Sequence, residues 1–273
     1  MCEVLGIARA SYYKALNKEE LPRAKENRFL KETIKKIYDE SEGRYGSPKI
    51  HKQLIEIYNL KISEKRVQKL MREMDLYSVI VKKYKHHSIK NVVEGLENVL
   101  KRDFSTTTIN EKWVGDITYI HTLKDGWTYL ASVMDLHSKK IIGYAYGKSM
   151  TTDLVLTALK NAHNSQNPSE GVIFHSDLGS QYTSIETKET CKDLKIVQSF
   201  SKKGCPYDNA YIESFHAILK KEEVYRTKYY DYDTARLALF RFIESWYNRR
   251  RIHSSINYLT PDECEKEARK KVA

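Results

Sequence analysis

Three carboxylates and a lysine carry the chemistry this chain can do. Asp116 lies within WVGDITYI, Asp177 within FHSDLGSQYTS, and Glu213 and Lys220 within KKGCPYDNAYIESFHAILKKE. Asp177 follows Asp116 by 61 positions, and 35 residues separate Asp177 from Glu213. Acids brought to one point repel one another and shift their pKa values unless a cation neutralises them. All-oxygen ligands select hard cations, Mg2+ or Mn2+. Two such ions about 3.5–4 Å apart activate a water or a sugar hydroxyl and stabilise the leaving oxygen of a phosphodiester. Each acid is also weighed against a plainer role. Asp177 suits a turn, and Glu213 is a favourable charge near a helix N-terminus. Asp116 sits mid-strand, where Asp is depleted, and has no such ready explanation. Asp135, just before His137-Ser138-Lys139-Lys140, reads as a turn residue.

Positioning these groups falls to a recognisable run of elements. KWVGDITYIHT alternates as a strand, Lys124-Asp125-Gly126 signals a hairpin turn, and WTYLASVMDL is the return strand. KKIIGYAYG is a third strand, so the first three form an antiparallel meander. Helix Thr152–Asn164, strand GVIFHSD, helix Thr183–Leu194 and strand KIVQSFS follow. Asp177 thus falls at a strand end, where sites form in open α/β sheets. A loop at Gly204–Pro206 leads to Asp208 or Asn209 as N-cap of the helix bearing Glu213. Lys220, seven residues on, projects from nearly the same face about 10 Å further along. The order βββαβαβα matches an α/β, RNase H-like fold, a mixed five-stranded sheet flanked by helices.

Upstream the pattern is helical. Gly6 marks a turn before a short helix over Ser11–Leu16. Residues 25–40 read as a helix with Phe29, Ile34 and Ile37 inward. Ser47-Pro48 predicts an N-cap and first helical residue, with Ile50, Leu54 and Ile55 or Tyr58 buried. Ser63 caps a second helix that buries Val67, Leu70 and Met71 or Met74 and exposes Lys65, Arg66, Lys69 and Arg72. Two short helices and a tight connector, the second helix strongly basic, fit a helix-turn-helix that reads DNA, or else a plain helical hairpin. Val81–Lys90 interleaves basic and aromatic residues without an acid, as a linker tracking a phosphate backbone would. The expected organisation is an N-terminal helical segment 1–43, the helix-turn-helix 44–80, a basic linker 81–107, the catalytic core 108–225 and a C-terminal helical extension 226–273.

The chain of 273 residues carries a formal charge of +11, which points to a polyanionic partner. The excess is +7 over residues 1–100, nil over 101–200 and +4 over 201–273, a neutral centre between basic flanks. Cys2, Cys191, Cys205 and Cys264 lack CxxC spacing, so neither a zinc site nor a disulfide framework is expected and a reducing cytoplasm is the default. The chain has no apolar run long enough to span a bilayer, and its N-terminus lacks a signal peptide's apolar stretch.

The three blocks around Asp116, Asp177 and Glu213 resemble the DDE integrase core of bacterial insertion-sequence transposases, in particular the second reading frame of the IS-three family. That family also has 35 residues between its second Asp and its Glu and a basic residue seven positions after the Glu, matched by Lys220. YNRRRIHSSINYLTP resembles its C-terminal block, and RYGSPKIHKQL with KRVQKLMREMDL its preceding helix-turn-helix. Retroviral integrases share the core but add a His/Cys zinc module, for which His86 and His87 have no Cys pair nearby. The resemblance implies an integrase catalytic core in which Asp116, Asp177 and Glu213 hold two Mg2+ ions, with Mn2+ as a substitute. It implies two steps at one site: water frees a 3′-hydroxyl at the element's end, and that hydroxyl attacks another strand. Lys220 then contacts DNA near the scissile phosphate. His175 and Asn209 shape the site and count among its DNA-binding residues, as do Lys65, Arg66 and Lys69. Arg249, Arg250, Arg251 and His253 grip phosphates. Partners implied are double-stranded DNA (terminal repeats and target), further copies of the chain on that DNA, and the product of an upstream overlapping frame. Two other readings stay open: a non-catalytic DNA-binding regulator, separated by metal-dependent nicking, and an RNase H-like nuclease, separated by preference for RNA–DNA hybrid.

Overall fold

The computed structural model describes residues 6, 8–16, 21–80, 97–101, 103–201 and 209–272. The basic stretch Val81–Lys90 with His86 and His87, the Gly204–Pro206 loop, Asp208, Cys2 and Cys205 lie outside the described residues. The chain forms two compact units, residues 1–81 and 82–273.

The first unit is helical: α1 Arg9–Leu16, α2 Pro22–Glu40, α3 Ser47–Glu56 and α4 Glu64–Glu73. α2 begins at a proline, whose missing N–H costs nothing in the first turn. Its buried stripe is Leu30, Thr33, Ile34 and Ile37, whereas Phe29, expected inward, is half exposed. Leu30, Ile34 and Ile37 keep the i, i+4, i+7 spacing of one helix face, and Phe29 is turned about 100° away from it. Gly46, not Ser47, stands at the N-cap of α3; Ser47 is the first helical residue and its side chain makes no cap bond. Ser63 does cap α4, accepting a hydrogen bond from the Arg66 N–H. Ile50 and Leu54 of α3 and Val67, Leu70 and Met71 of α4 are buried against α2, while Ile55 is exposed and Tyr58 half-buried.

The second unit is built on five strands: β1 Lys112–Thr122, β2 Gly126–Asp135, β3 Ile141–Gly147, β4 Ile173–Ser176 and β5 Val197–Phe200. Their order is β3-β2-β1-β4-β5, with the meander antiparallel and β4 and β5 parallel to β1. On one face lie Trp113, Ala131, Val133 and Phe174, packed with Val155, Ala158, Leu159 and Ala162 of α5, Thr152–Gln166. Gly143 lets α5 lie against the sheet, since a Cβ there would come within 2.4 Å of the α5 backbone. Two short helices, α6 Ser180–Thr183 and α7 Ile185–Asp193, lead to β5.

The opposite face meets α8, Ala210–Leu219, which continues as a π-helical turn over Lys220–Val224. Beyond it come α9 Tyr232–Phe240, extended by π-helical turns over Arg241–Tyr247, and α10 Pro261–Val272. This C-terminal part closes the free edge of the sheet. Asn248 receives the Ile141 N–H and donates to the Ile141 carbonyl, both at 3.0 Å, as a neighbouring strand would. Lys140 is tied to Asp262 and Glu265 of α10 at 2.8 and 2.6 Å. Asp135 is the turn residue its context suggested: its carboxylate accepts from the N–H groups of Asn110, His137 and Ser138 and from the Ser138 hydroxyl.

Candidate active site

The ladder between β1 and β4 aligns two of the acids. Lys112, Trp113 and Val114 pair with Ile173, Phe174 and His175, an offset of 61 that equals the interval from Asp116 to Asp177. Carried two residues further, the register sets Asp116 level with Asp177 on neighbouring strands, and level residues of a parallel pair point to the same face. β4 stops at Ser176 because Asp177 opens a turn, its Oδ1 accepting the Gly179 N–H at 3.0 Å. Asp116 Oδ1 accepts the N–H of Ile117 at 2.8 Å. The preceding residue is Gly115 because the Phe174 ring occupies the place of a Cβ, 2.5 Å away.

Glu213 enters from the first turn of α8. Its charge and that of Asp116 both bear on Asp177. Burial first, then the Asp116 charge, then that of Glu213, push the Asp177 pKa up to about 6 against the turn bond from Gly179. The ionised form of Asp177 therefore costs the metal-free fold stability. The cost is absent below the ordinary Asp value of 3.8, grows as pH rises, and is complete above about 6. Asp177→Asn keeps an oxygen for Gly179 and removes the charge. Asp177 is exposed, so solvent screens much of this cost, and the substitution is expected to stabilise the metal-free chain by about 1 kcal/mol or less at pH 7.5, with the gain vanishing near pH 4. Urea unfolding at the two pH values checks this, and a variant no more stable at pH 7.5 contradicts it.

Among the described residues no three His, Cys, Asp or Glu side chains are drawn close enough to form a ready-made metal cage. The donor set still fits a hard divalent cation. The donors on offer are carboxylate oxygens, and the neighbouring negative charge adds to desolvation in raising the Asp177 pKa.

The sequence reading missed His216, which is 6% exposed. Its Nδ1 lies 3.3 Å from Asp116 Oδ2 and its Nε2 3.5 Å from Ser132 Oγ, the residue paired with Asp116 across the β1–β2 ladder. The signal was present: His216 follows Glu213 by three residues and so shares its helix face. Lys220 stands where the helix passes from α to π geometry, a change common at functional sites. It is buried, with its ammonium 4.9 Å from the Tyr119 ring centroid. Burial lowers its pKa and the nearby Asp116 charge opposes that.

Several expected DNA contacts have other duties. His175 is fully buried, with its ring nitrogens 2.8 Å from Ser199 Oγ and 3.0 Å from Ser201 Oγ, so it fastens β4 to β5 rather than touching a phosphate. Asn209 occupies the N-cap position of α8 without capping it; its buried amide donates to the Gly115 carbonyl at 3.3 Å, beside Asp116. Arg251 and His253 are buried too. The Arg251 guanidinium donates to both oxygens of Glu222 at 2.9–3.1 Å and lies against the His253 ring, and Trp246 Nε1 donates to the same carboxylate at 2.9 Å. The Glu222 carboxylate engages Arg251, and Arg251 in turn the His253 ring, which leaves this pair an internal role. Arg249 and Arg250 are exposed, Arg249 3.6 Å from Asp262. In the first unit Lys65 and Lys69 are exposed. Arg66, expected to face DNA, instead donates to Glu26 at 2.9 Å and Asn27 at 2.7 Å, tying α4 to α2.

Residues 107–206 and 194–261 match models of an integrase core domain, and residues 24–84 match an HTH-like domain. The chain is 38% identical over 242 residues to the transposase for insertion sequence element IS904 of Lactococcus lactis, covering 88% of this chain and 95% of that protein. It is 33% identical over 270 residues to transposase InsF for insertion sequence IS3A of Escherichia coli, covering 97% and 92%. Among solved structures, the HTLV-2 integrase catalytic core domain in complex with magnesium matches with a TM-score of 0.46 and 18% identity, over 59% of this chain and 99% of that one.

Proposed function

The chain belongs to the IS3-family transposases, with an HTH-like domain and an integrase core, and from that premise we propose that Asp116, Asp177 and Glu213 are the catalytic residues of a DNA cleavage and strand-transfer site. The observation that carries this reading is the shared register of β1 and β4, which sets Asp116 level with Asp177, while the Glu213 charge bears on Asp177. Mg2+ ions held by the three carboxylates would supply the positive charge that lowers the pKa of the attacking hydroxyl and stabilises the leaving oxygen. The chain's own residues fix where that can happen. Asp116 is oriented from three sides: its own strand, Ser132 behind it through His216, and the Asn209 bond to the Gly115 carbonyl. Both displacements, by water and then by the freed 3′-hydroxyl, pass through phosphorus without a covalent protein intermediate, so no nucleophilic side chain is needed.

Lys220 is proposed to meet the phosphate next to the scissile bond. Lys65 and Lys69 on α4 are proposed to bind the DNA duplex, and Arg249 and Arg250 to hold the backbone further out. The proposed substrate is DNA; no described helix is long and apolar enough to cross a membrane.

The purified chain, given labelled duplex carrying the ends of its element, is expected to nick and join DNA in Mg2+ or Mn2+ and to stop when the metal is chelated. A product-free reaction in both metals favours a binding-only regulator, and faster cleavage of RNA–DNA hybrid than of duplex DNA favours an RNase H-like nuclease. Either outcome overturns the proposal.

A further inference from the structure

The hairpin of β1 and β2 carries, on the side of the sheet turned away from Asp116, an aromatic face that the chemistry above leaves unused. In its ladder His121 stands opposite Trp127, and Tyr119 opposite Tyr129. Tyr119 is 52% exposed and Trp127 59%. Their rings meet edge to face at 6.0 Å, and the His121 ring meets Trp127 at 5.1 Å. The other side of the same hairpin is closed: Thr118, Ile120, Thr122, Thr128 and Leu130 are all buried. The exposure therefore belongs to one ordered face, not to a frayed tip. A contiguous apolar patch of this kind in water marks a binding surface.

Its surroundings indicate what binds. The Lys220 ammonium lies over the Tyr119 ring, and the same ammonium feels the Asp116 charge. Tyr119 follows Asp116 by three residues on β1, a span of about 10 Å that turns the ring to the other face of the sheet, so Lys220 is the link between the two. Lys124 is exposed at the hairpin tip. Aromatic rings beside a cation that also senses Asp116 suit a single strand that passes around β1 to the phosphodiester site: a stack for its bases and charge for its backbone. A second copy of the chain fits less well, because a twofold contact through this face would bring the same lysines together in a protein already at +11.

We propose that Tyr119 and Trp127 form a stacking platform for an unpaired nucleobase of the DNA strand that enters the carboxylate site. The proposal rests on the DNA reading of that site and adds a separate binding element to it. The strand end is frayed before or during reaction, and the ring pair holds the displaced base while Lys220 holds the adjoining phosphate.

Trp127 reports on this directly. It is one of three tryptophans, and Trp113 and Trp246 are buried. The full chain is titrated without divalent metal against a duplex bearing a short single-stranded 3′ tail, and against the same duplex with an abasic tail. Tryptophan fluorescence should be quenched by the first and not by the second, and the quenching should disappear in Trp127→Phe. Trp127→Ala should weaken binding of the tailed duplex by about five- to a hundredfold, the range that one lost base–aromatic stack gives, and leave blunt duplex binding unchanged. Tyr119→Ala should act in the same direction. Equal quenching by both tails, or unchanged affinity in Trp127→Ala, overturns the proposal. Quenching that follows protein concentration without DNA also overturns it and assigns the face to a second copy. Because no metal or turnover is involved, such a failure leaves the catalytic proposal standing, and inactive carboxylates would leave the platform standing.

Discussion

Asp116→Asn should slow metal-dependent cleavage of an element-end duplex by about a thousandfold or more while changing duplex affinity less than about twofold. The substitution is nearly isosteric. Asn keeps an oxygen to accept the Ile117 N–H and a polar group toward His216, so the strand and α8 stay in place. What is lost is the negative charge at the point where Asp177 and Glu213 also bear. Asp177→Asn and Glu213→Gln should each do comparable damage. The double variant Asp116→Asn with Asp177→Asn should be little worse than either, because residues that act as one unit do not add. Single-turnover cleavage rates, with duplex binding measured in parallel, provide the check. A variant within tenfold of the parent rate would remove Asp116 from the chemistry. Additive losses would mean that the acids do not work together.

The second large effect concerns Arg251, which the sequence suggested as a phosphate ligand. Arg251→Met should lower stability by about 3–5 kcal/mol, because it strands the Glu222 carboxylate, 1% exposed, without its counter-charge. The thermal midpoint should fall by roughly 10 °C for a unit of this size. Pairing it with Glu222→Leu should recover most of the loss, since two well-packed apolar side chains replace a buried ion pair at little cost. About 1 kcal/mol should remain missing, because Trp246 Nε1 loses its acceptor. A phosphate ligand would behave otherwise: Arg251→Met would leave the melting point alone and flatten the salt dependence of DNA binding. Melting and binding measured on the same three proteins separate the two roles.

The local grammar of the chain was legible where local physics decides. Period-two alternation and the Lys124-Asp125-Gly126 turn marked the meander, and Asp in mid-strand singled out position 116. Sheet order was not legible, because the pairing of β1 with β4 joins residues 61 apart and nothing in either segment alone records it. The same limit explains the misassigned cations. In sequence, Arg66 and Arg251 look like solvated basic residues. Their partners, Glu26 and Glu222, are 40 and 29 residues away, and only folding brings them together. His175 offered a histidine beside an acid, which reads as site chemistry until β5 supplies the two serines that enclose it. Phe29 was a matter of phase: a one-residue error in a helix turns the predicted face by about 100°.

The level placement of residues 116 and 177 has a consequence for how this chain can vary. Everything between them, the hairpin tip, β3 and α5, leaves one strand and returns on its neighbour, so segments can lengthen or shorten there without separating the two acids. A slip of β4 by a single residue against β1 is another matter, because it would turn the second aspartate through the sheet to the side of α5. Loop length is thus a free coordinate and strand alignment a rigid one, and insertions engineered at the exposed Ser169, between α5 and β4, should be tolerated where one inserted in β4 is not.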